Sequence, residues 1–284
     1  MNNILVTGAN GQLGSELQVL AKQYPQYQFF FTDVAELDIT NPKAIEVFVK
    51  ENKINAIINC AAYTAVDKAE SEVELADNIN HLAVKYLAEV AKEHQCKLIH
   101  ISTDYVFDGT NHQPYLETDI PNPKSVYGAT KLAGEQAMQE VNPTNSIIIR
   151  TSWVYSSFGT NFVKTMLKLG KEREELKVIS DQVGTPTYAA DLAKAILEIL
   201  PQLSNKKVEV YHYTNEGVCS WFDFAHAIFE ISKTACKVIP ITTAQYPTAA
   251  KRPQYSVLNK SKIKETFKIE IPYWRESLKE CLGK

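Results

Sequence analysis

The stretch Ile4-Leu5-Val6-Thr7-Gly8-Ala9-Asn10-Gly11-Gln12-Leu13-Gly14 decides the fold of this chain. Its apolar and β-branched start predicts a short buried strand, and three evenly spaced glycines follow directly. Glycine permits a tight turn from strand to helix and lets the backbone approach a pyrophosphate. The amide groups and dipole of the following helix then point at the phosphates. The stretch therefore predicts a dinucleotide-binding turn.

An acidic residue follows the second predicted strand. Asp33 lies 19 residues after Gly14, close to the spacing of about 20 residues at which a Rossmann-type domain places a ribose-binding carboxylate. Such a carboxylate accepts hydrogen bonds from the adenosine ribose and repels a 2′-phosphate. Alone, Asp33 is equally well explained as a turn residue at a strand end. The glycine spacing differs from G-x-G-x-x-G, and no Lys-Ser/Thr pair follows, which excludes a P-loop.

Short apolar strands alternate with amphipathic helical patterns through the first half of the chain. The predicted strands are Ile4–Thr7, Gln28–Thr32, Ala56–Cys60, Lys97–Ser102 and Ser146–Arg150. Asn41-Pro42 predicts the start of one helix, Ser125 is the predicted N-cap of another, and Asn142-Pro143 ends the latter. This alternation predicts an α/β fold with a Rossmann-type, doubly wound parallel sheet.

The alternation loosens after about residue 150. Predicted elements there are helices at Asn161–Lys171, Ala190–Leu200 and Trp221–Ser232, and strands at Val178–Ile179, Val208–Tyr213 and Lys237–Pro240. We interpret this half as a smaller, discontinuous substrate-binding lobe. The expected division is a dinucleotide-binding domain at 1–150 plus about 182–214, and a substrate-binding lobe at 151–181 and 215–284.

Tyr127 and Lys131 are four residues apart and share one face of a predicted helix. A phenol titrates near ~10 and is a poor acid at neutral pH, but a neighbouring ammonium lowers its pKa. The pair is a compact device for giving a proton to a sugar or alcohol oxygen, or for taking one away. The pattern alone is weak. With the glycine turn and Thr103 upstream, it indicates a nicotinamide-dependent carbonyl reductase.

Six segments, spread over about residues 3 to 280, together resemble those of a known enzyme family. They are Gly8–Gly14, Tyr63–Glu70, Ser102–Phe107, Tyr127–Glu135, Arg150–Tyr155 and Arg252-Pro253. In these segments the chain resembles the dTDP-4-dehydrorhamnose reductase family of extended short-chain dehydrogenase/reductases. The resemblance implies that NADH or NADPH reduces C4 of dTDP-4-dehydro-L-rhamnose to give dTDP-L-rhamnose, which feeds cell-surface polysaccharide synthesis.

The resemblance also implies roles for single residues. Tyr127 would donate the proton to the C4 oxygen, Lys131 would lower its pKa and bind the nicotinamide ribose, and Thr103 would polarise the carbonyl. The implied cofactor contacts are Gly8, Gly11, Gln12, Leu13, Gly14, Asp33, Asp38, Ile39, Ala61, Ala62, Tyr63, Tyr127 and Lys131. The implied substrate contacts are Thr103, Asp104, Trp153 and Arg252.

One segment departs from some relatives, which bind magnesium through carboxylates equivalent to Thr187–Asp191. Here Ala189-Ala190 precede Asp191, and one carboxylate is a poor set of ligands for a hard cation. We therefore expect no metal site.

The composition limits the remaining possibilities. Thirty basic and 33 acidic side chains are nearly balanced, which argues against a nucleic acid or an anionic membrane as partner. The five scattered cysteines fit reduced thiols, and no apolar run approaches the ~18 residues of a membrane span. We expect a cytoplasmic enzyme that acts on a dTDP-sugar, with a homodimer as the open possibility for its assembly.

Several alternatives stay open at this point. The chain could be a cofactor-binding regulatory protein that resembles the methionine adenosyltransferase beta subunit, or another sugar-nucleotide epimerase or dehydratase. By residue type alone, Trp153 is core and Arg252 is a surface residue. His100 on a predicted strand is interpreted as a core histidine. Asn80 fits either a backbone-bonding role near the catalytic residues or a helix surface.

Overall fold

The computed structural model describes residues 2–283, in which strands and helices alternate through the first half and follow a less regular order in the second. The strands are β1 (Asn2–Thr7), β2 (Tyr27–Thr32), β3 (Ile54–Asn59), β4 (Lys97–Thr103), β5 (Ser146–Thr151), β6 (Val154–Tyr155), β7 (Glu175–Ile179), β8 (Val183–Gly184), β9 (Thr187–Tyr188), β10 (Glu209–His212), β11 (Cys219–Ser220) and β12 (Lys237–Ile241). The helices are α1 (Gln12–Ala21), α2 (Pro42–Glu51), α3 (Val66–Ala69), α4 (Val73–Asp77), α5 (Ala83–Glu93), α6 (Val126–Val141), α7 (Phe162–Glu172), α8 (Ala189–Ile199), α9 (Trp221–Ser232), α10 (Ser261–Phe267) and α11 (Trp274–Leu282).

Six parallel strands form the central sheet, in the order β10-β5-β4-β3-β1-β2. The chain moves from β1 outward to β2 and then returns to β3 on the other side of β1. Open α/β sheets bind ligands outside the carboxyl ends of the strands at such a reversal. The doubly wound parallel sheet predicted from the sequence is confirmed, and its reversal places the glycine turn after β1 at the expected site.

Helices cover both faces of the sheet, as buried parallel strands require. On one face, α1 and α8 pack beside β1 and β5 around Leu17, Ile147 and Ile196. On the other face, α2, α5 and α6 bury Ile45, Leu87 and other apolar residues. The strands read as continuous apolar runs because both of their faces are covered.

A third apolar cluster lies among the later elements. It joins α7, α9 and α11 through residues that include Met166, Phe224 and Leu278. Three two-stranded sheets accompany these helices: β11 with β8, β12 with β7, and β6 with β9. In contrast, β10 belongs to the central sheet. The division of the chain with boundaries near residues 150, 182 and 214 stays a prediction.

Local signals explain the helix that carries Tyr127 and Lys131. The Ser125 hydroxyl accepts a hydrogen bond from the Gly128 amide (3.1 Å) and caps α6, as predicted. Asn142 ends α6 in the left-handed conformation, with φ 54°. The sequence did not predict the segment before α5, where one turn of π-helix spans Asn78–Leu82.

The π-helical turn buries Asn80 completely. Its side-chain oxygen accepts from the Tyr63 amide (2.9 Å), and its amide group donates to the Tyr63 carbonyl (3.1 Å) and to Thr130 (3.2 Å). The backbone-bonding interpretation of Asn80 is therefore the correct one. No helix within residues 2–283 is long and apolar enough to cross a membrane.

The contact between this turn and α6 predicts the effect of Gly134→Ala. A Cβ atom at position 134 would lie 2.1 Å from the Asn80 carbonyl oxygen. Helix propensity favours alanine by about 1 kcal/mol, whereas overpacking costs about 1–3 kcal/mol. We expect a net loss in the free energy of unfolding, measured by urea denaturation. The exposed control Gln136→Ala should change it by less than about 0.5 kcal/mol, and a stabilised Gly134→Ala protein would contradict the contact.

Candidate active site

A cavity of about 820 Å³ lies at the carboxyl ends of β1, β2, β3 and β4. This volume falls within the range of small-molecule sites. The predicted site residues that line it are Gly8, Gly11, Gln12, Leu13, Asp33, Asp38, Ile39, Ala61, Ala62, Thr103, Asp104, Tyr127, Lys131 and Trp153. The fold thus brings most of the sequence-predicted residues to one place.

The glycine turn fits the pyrophosphate of a dinucleotide. Gly8 has φ 65°, and a Cβ atom there would lie 2.7 Å from the Ala61 backbone. A Cβ atom at Gly14 would lie 2.5 Å from the Gly8 carbonyl oxygen. Side chains at either position would push the turn away from β3 or from α1. Gly11 begins α1 as its N-cap, so the first amides of α1 are directed into the cavity.

Asp33 follows β2 at one end of the cavity. Its carboxylate accepts from the Asn10 amide (3.1 Å) and the Val34 amide (2.9 Å), which fixes its orientation. Lys131 is the basic residue among those that line the cavity, and β1 and β3 separate it from Asp33 in the sheet. The Asp33 end therefore has a negative charge and no lining cation to bind a 2′-phosphate.

Tyr127 and Thr103 meet at the opposite end. Tyr127 is 9% exposed, and its ring lies edge-on to Tyr105 with centroids 5.4 Å apart. Burial raises the pKa of the Tyr127 phenol to about 12. A hydrogen bond with Thr103 acts in the opposite direction, and the charge of Asp104 raises the pKa further. The phenol is therefore protonated throughout the neutral range.

Lys131 is buried, at 1% exposure, and is held against β4. Its Nζ donates to the Ile101 carbonyl oxygen (2.7 Å) and lies 3.4 Å from Nε2 of His100. Burial lowers the pKa of Lys131 to about 8, while the charge of Glu135 acts in the opposite direction. The lowering of the Tyr127 pKa, which the resemblance assigns to Lys131, stays a prediction.

Asp104 is a buried carboxylic acid at the cavity wall. Its Oδ1 accepts from the Thr103 hydroxyl (3.0 Å), whereas its Oδ2 is buried without a hydrogen-bond partner among the described residues. Burial raises the pKa of Asp104 to about 6, and the neighbouring hydroxyl groups of Ser256 and Thr103 oppose that effect. An unpaired buried acceptor is costly, so Oδ2 is suited to accept from a bound hydroxyl.

Trp153 lies at the cavity with an unusual backbone and an aromatic partner. Its φ is 48°, in the left-handed region that bulky residues rarely adopt. Its ring stacks on Trp221, with centroids 3.6 Å apart and planes 13° from parallel. A Cβ atom at Gly184 would lie 2.9 Å from the Trp153 ring. Sequence analysis missed Trp221 and Gly184 because both come from distant segments.

Gly14, Tyr63 and Arg252 lie outside the lining of the cavity. Gly14 sits in the first turn of α1, and the Tyr63 hydroxyl donates to Glu72. The Arg252 guanidinium donates to both carboxylate oxygens of Asp67, at 3.1 and 2.6 Å. Their cofactor and substrate roles stay predictions.

A buried ion pair behind Lys131 was also missed. Glu135 accepts two hydrogen bonds from Nε of Arg150 and one from its Nη2 (2.6 Å), and it accepts another from Ser102. The guanidinium lies 5.1 Å from the centre of the Phe107 ring. Glu135 stands four residues after Lys131 on α6, but the sequence does not tell which distant cation pairs with it.

Asp191, the one carboxylate of the segment 187–191, is hydrogen-bonded within the fold, and the expected lack of a metal site stays a prediction. Oδ2 of Asp191 accepts from Asn215 (2.7 Å) and Ser277 (2.5 Å). Within residues 2–283, the one group of three close potential metal ligands is Glu46, Glu93 and His94, none of which lines the cavity.

Residues 1–284 match the family described as RmlD substrate binding domain. The dTDP-4-dehydrorhamnose reductase of Aggregatibacter actinomycetemcomitans is 44% identical over 288 aligned residues, which cover 98% of each protein. This chain belongs to the dTDP-4-dehydrorhamnose reductase family. The family resemblance inferred from the six sequence segments is thereby confirmed.

Solved members of the dTDP-4-dehydrorhamnose reductase family have the same fold. A reductase from Clostridium acetobutylicum is 47% identical, with a TM-score of 0.93 over 99% of this chain and 98% of that one. The Bacillus anthracis reductase, solved in complex with NADP, is 41% identical, with a TM-score of 0.94 over 100% and 99% of the two chains.

The burial of Asp104 predicts a pH-dependent change in stability for Asp104→Asn. The pKa of Asp104 is about 6 in the folded state, against 3.8 for a free carboxyl. The folded state therefore binds this proton more tightly than the unfolded state, and proton binding adds to the free energy of unfolding. That contribution is complete below pH 3.8 and is lost as the pH rises through 6. We therefore expect Asp104→Asn to raise the free energy of unfolding by about 3 kcal/mol at pH 8 and by less than about 1 kcal/mol at pH 4. Urea denaturation at both pH values measures this, and an equal effect at each would contradict it.

Proposed function

We propose that this protein reduces the C4 carbonyl of dTDP-4-dehydro-L-rhamnose to give dTDP-L-rhamnose. The observation that carries the proposal is the meeting of Thr103, Tyr127 and Lys131 in one cavity with a dinucleotide-binding turn, in a chain that matches the reductase family over its full length. The product is an activated sugar, so a glycosyltransferase reaction that builds a cell-surface polysaccharide would consume it.

In the proposed reaction the cofactor supplies the hydride, and residues of the protein supply the proton and stabilise charge. NADH or NADPH, when bound, supplies a hydride to C4. The Thr103 hydroxyl, which donates to Oδ1 of Asp104, would rotate to donate to the carbonyl oxygen. Together with the Tyr127 hydroxyl it would stabilise the negative charge that develops on that oxygen. Tyr127 then donates its proton to that oxygen. A phenol that burial keeps protonated at neutral pH begins the reaction in the form that this step needs.

The remaining site residues have binding roles in this proposal. The α1 amides after Gly11 face the pyrophosphate, and Asp33 accepts from the adenosine ribose. Asp104 accepts from a sugar hydroxyl through its unpaired Oδ2. Trp153, backed by Trp221, offers a flat apolar wall to the sugar nucleotide.

Arg252 would bind the diphosphate of the sugar nucleotide after leaving Asp67. A guanidinium suits phosphate as well as carboxylate. The pair with Asp67 is partly exposed, so exchanging one anion for another costs little.

Location and assembly belong to the same proposal. The free cysteines, with Cys96, Cys219, Cys236 and Cys281 buried, fit the reducing cytoplasm. The expected lack of nucleic-acid binding rests on the balanced charge. The homodimer stays a prediction, which light scattering of the purified protein would test.

Tyr127→Phe tests the reaction. The native protein should oxidise one NADH or NADPH for each dTDP-4-dehydro-L-rhamnose consumed, with no change in the C6 methyl group. Tyr127→Phe keeps the ring but loses the transferable proton, so turnover should fall by about 10²–10⁴-fold while cofactor affinity is nearly unchanged. Absorbance at the reduced nicotinamide band and mass spectrometry of the product measure both.

Other outcomes of this assay identify the alternatives. A native protein that binds the cofactor but does not turn over the keto sugar would indicate a regulatory protein. A product lighter by one water from dTDP-glucose and NAD would indicate a dehydratase. Near-native turnover by Tyr127→Phe would show that another group is the acid.

Asp33→Ala tests the ribose contact. Removing the carboxylate removes its repulsion of a 2′-phosphate and its hydrogen bonds to the ribose. We expect the ratio of kcat/KM for NADPH over NADH to rise by about tenfold, which corresponds to about 1.4 kcal/mol. The exposed control Glu46→Ala should leave the ratio unchanged. An unchanged ratio in Asp33→Ala would place Asp33 away from the ribose.

A further inference from the structure

A chain of buried hydrogen bonds connects Lys131 to the strands beneath it. The Thr7 hydroxyl donates to Oδ1 of Asn59 (2.7 Å), and Nδ2 of Asn59 lies 3.0 Å from Nδ1 of His100. Nε2 of His100 lies 3.4 Å from Nζ of Lys131. Each of these side chains is at most 1% exposed. This series of hydrogen bonds crosses β1, β3 and β4 and ends at the Lys131 amine, which the proposed reaction uses.

A backbone amide fixes which group donates and which accepts in this series of hydrogen bonds. The Ala61 amide donates to Oδ1 of Asn59 (3.2 Å), and a backbone N–H is always a donor. The side-chain oxygen of Asn59 therefore faces Ala61, and its NH₂ group faces His100. Because that NH₂ group donates to Nδ1, Nδ1 carries no proton. A neutral His100 must then carry its proton on Nε2.

The resulting tautomer presents an N–H group to the amine of Lys131. An ammonium has only donors and no lone pair, so it cannot accept from Nε2–H. A neutral amine has a lone pair, accepts from Nε2–H of His100, and still donates to the Ile101 carbonyl oxygen. The arrangement therefore favours the neutral amine over the ammonium.

The other titratable groups around Lys131 do not produce this effect. Glu135, on the same helix, favours the ammonium, although its own charge is paired with Arg150 from β5. Tyr127 lies one turn earlier on α6 and is protonated. His100 from β4 is itself kept neutral, because burial and the charge of Lys131 hold its pKa well below the ordinary value.

We propose that His100 is a positioning residue for Lys131, oriented by Asn59, which disfavours the ammonium so that Lys131 releases a proton readily near neutral pH. This role rests on the proposed function. After Tyr127 has given its proton to the C4 oxygen, the phenolate must regain one. The ammonium of Lys131 gives that proton, becomes the neutral amine that Nε2–H of His100 stabilises, and regains a proton from water.

The tautomer is tested by NMR on the intact protein with ¹⁵N-labelled histidine. His100 should show a protonated Nε2 and an unprotonated Nδ1 from pH 5 to 9, with its signals assigned by their loss in His100→Gln. A proton on Nδ1, or a titration of His100 within this range, would overturn the proposal without any measurement of activity.

The effect on Lys131 is tested with ¹³Cε-labelled lysine. The Lys131 signal, assigned by its loss in Lys131→Met, should titrate near pH 8 in the native protein, in line with the effect of its burial. In His100→Gln the amide oxygen can accept from the ammonium, so the titration should move up by about one unit. The exposed control His226→Gln should leave it unchanged. A Lys131 titration that is unmoved in folded His100→Gln overturns the proposal.

The pH profile of kcat separates this proposal from the proposed function, because the return of the proton follows the chemical step within each turnover. If Lys131 returns the proton, the basic limb of the profile should move upward in His100→Gln together with the NMR titration. A native protein inactive on the keto sugar overturns the proposed function and the reaction role of His100 together. An active enzyme in which the NMR titration moves but the basic limb stays in place overturns the role of His100 alone.

Discussion

The burial of one amine, that of Lys131, constrains most of the site. Burying the amine of Lys131 is costly unless its polar groups are paired. Here β4 supplies both partners of the neutral amine, because the Ile101 carbonyl oxygen accepts from Nζ and Nε2–H of His100 can donate to it. This contact requires α6 to lie directly against β4. The same packing of α6 on β4 brings Tyr127 beside Thr103, because Tyr127 belongs to α6 and Thr103 belongs to β4. The geometry proposed for catalysis therefore depends on how closely α6 approaches β4.

Glycines and an ion pair make that approach possible. A Cβ atom at Gly128 would lie 2.2 Å from the Tyr105 carbonyl oxygen, so α6 meets the end of β4 without a side chain between them. Behind the site, Glu135 of α6 is bonded to Arg150 of β5 and to Ser102 of β4. Removing one partner of such a buried pair leaves an uncompensated charge and costs about 3–5 kcal/mol. The pair therefore opposes any movement of α6 away from the sheet.

The sequence predicted the parts of this structure that depend on local patterns. Apolar runs located the central strands within one or two residues, and Ser125 located the start of α6, because capping and strand burial act over a few residues. It did not predict the π-helical turn at Asn80, which is held by Tyr63 from another segment. Nor did it predict the partner of Glu135, the stack of Trp221 on Trp153, or the short helices α10 and α11. These features depend on contacts between residues far apart in the chain, for which one sequence contains no spacing rule.

Burial shifts the pKa values of Lys131, Asp104 and Tyr127 in the direction that favours the neutral form of each side chain. The chemical results of these shifts differ. Lys131 and Asp104 come closer to neutral pH, whereas Tyr127 moves away from it. A reduction begins with a proton donor, and a phenol with a raised pKa is fully in its donor form. The reverse oxidation would begin with a phenolate, which this environment disfavours. In the proposed reduction, burial therefore keeps Tyr127 in its donor form at neutral pH, and Lys131 is the group whose pKa of about 8 suits proton exchange near that pH.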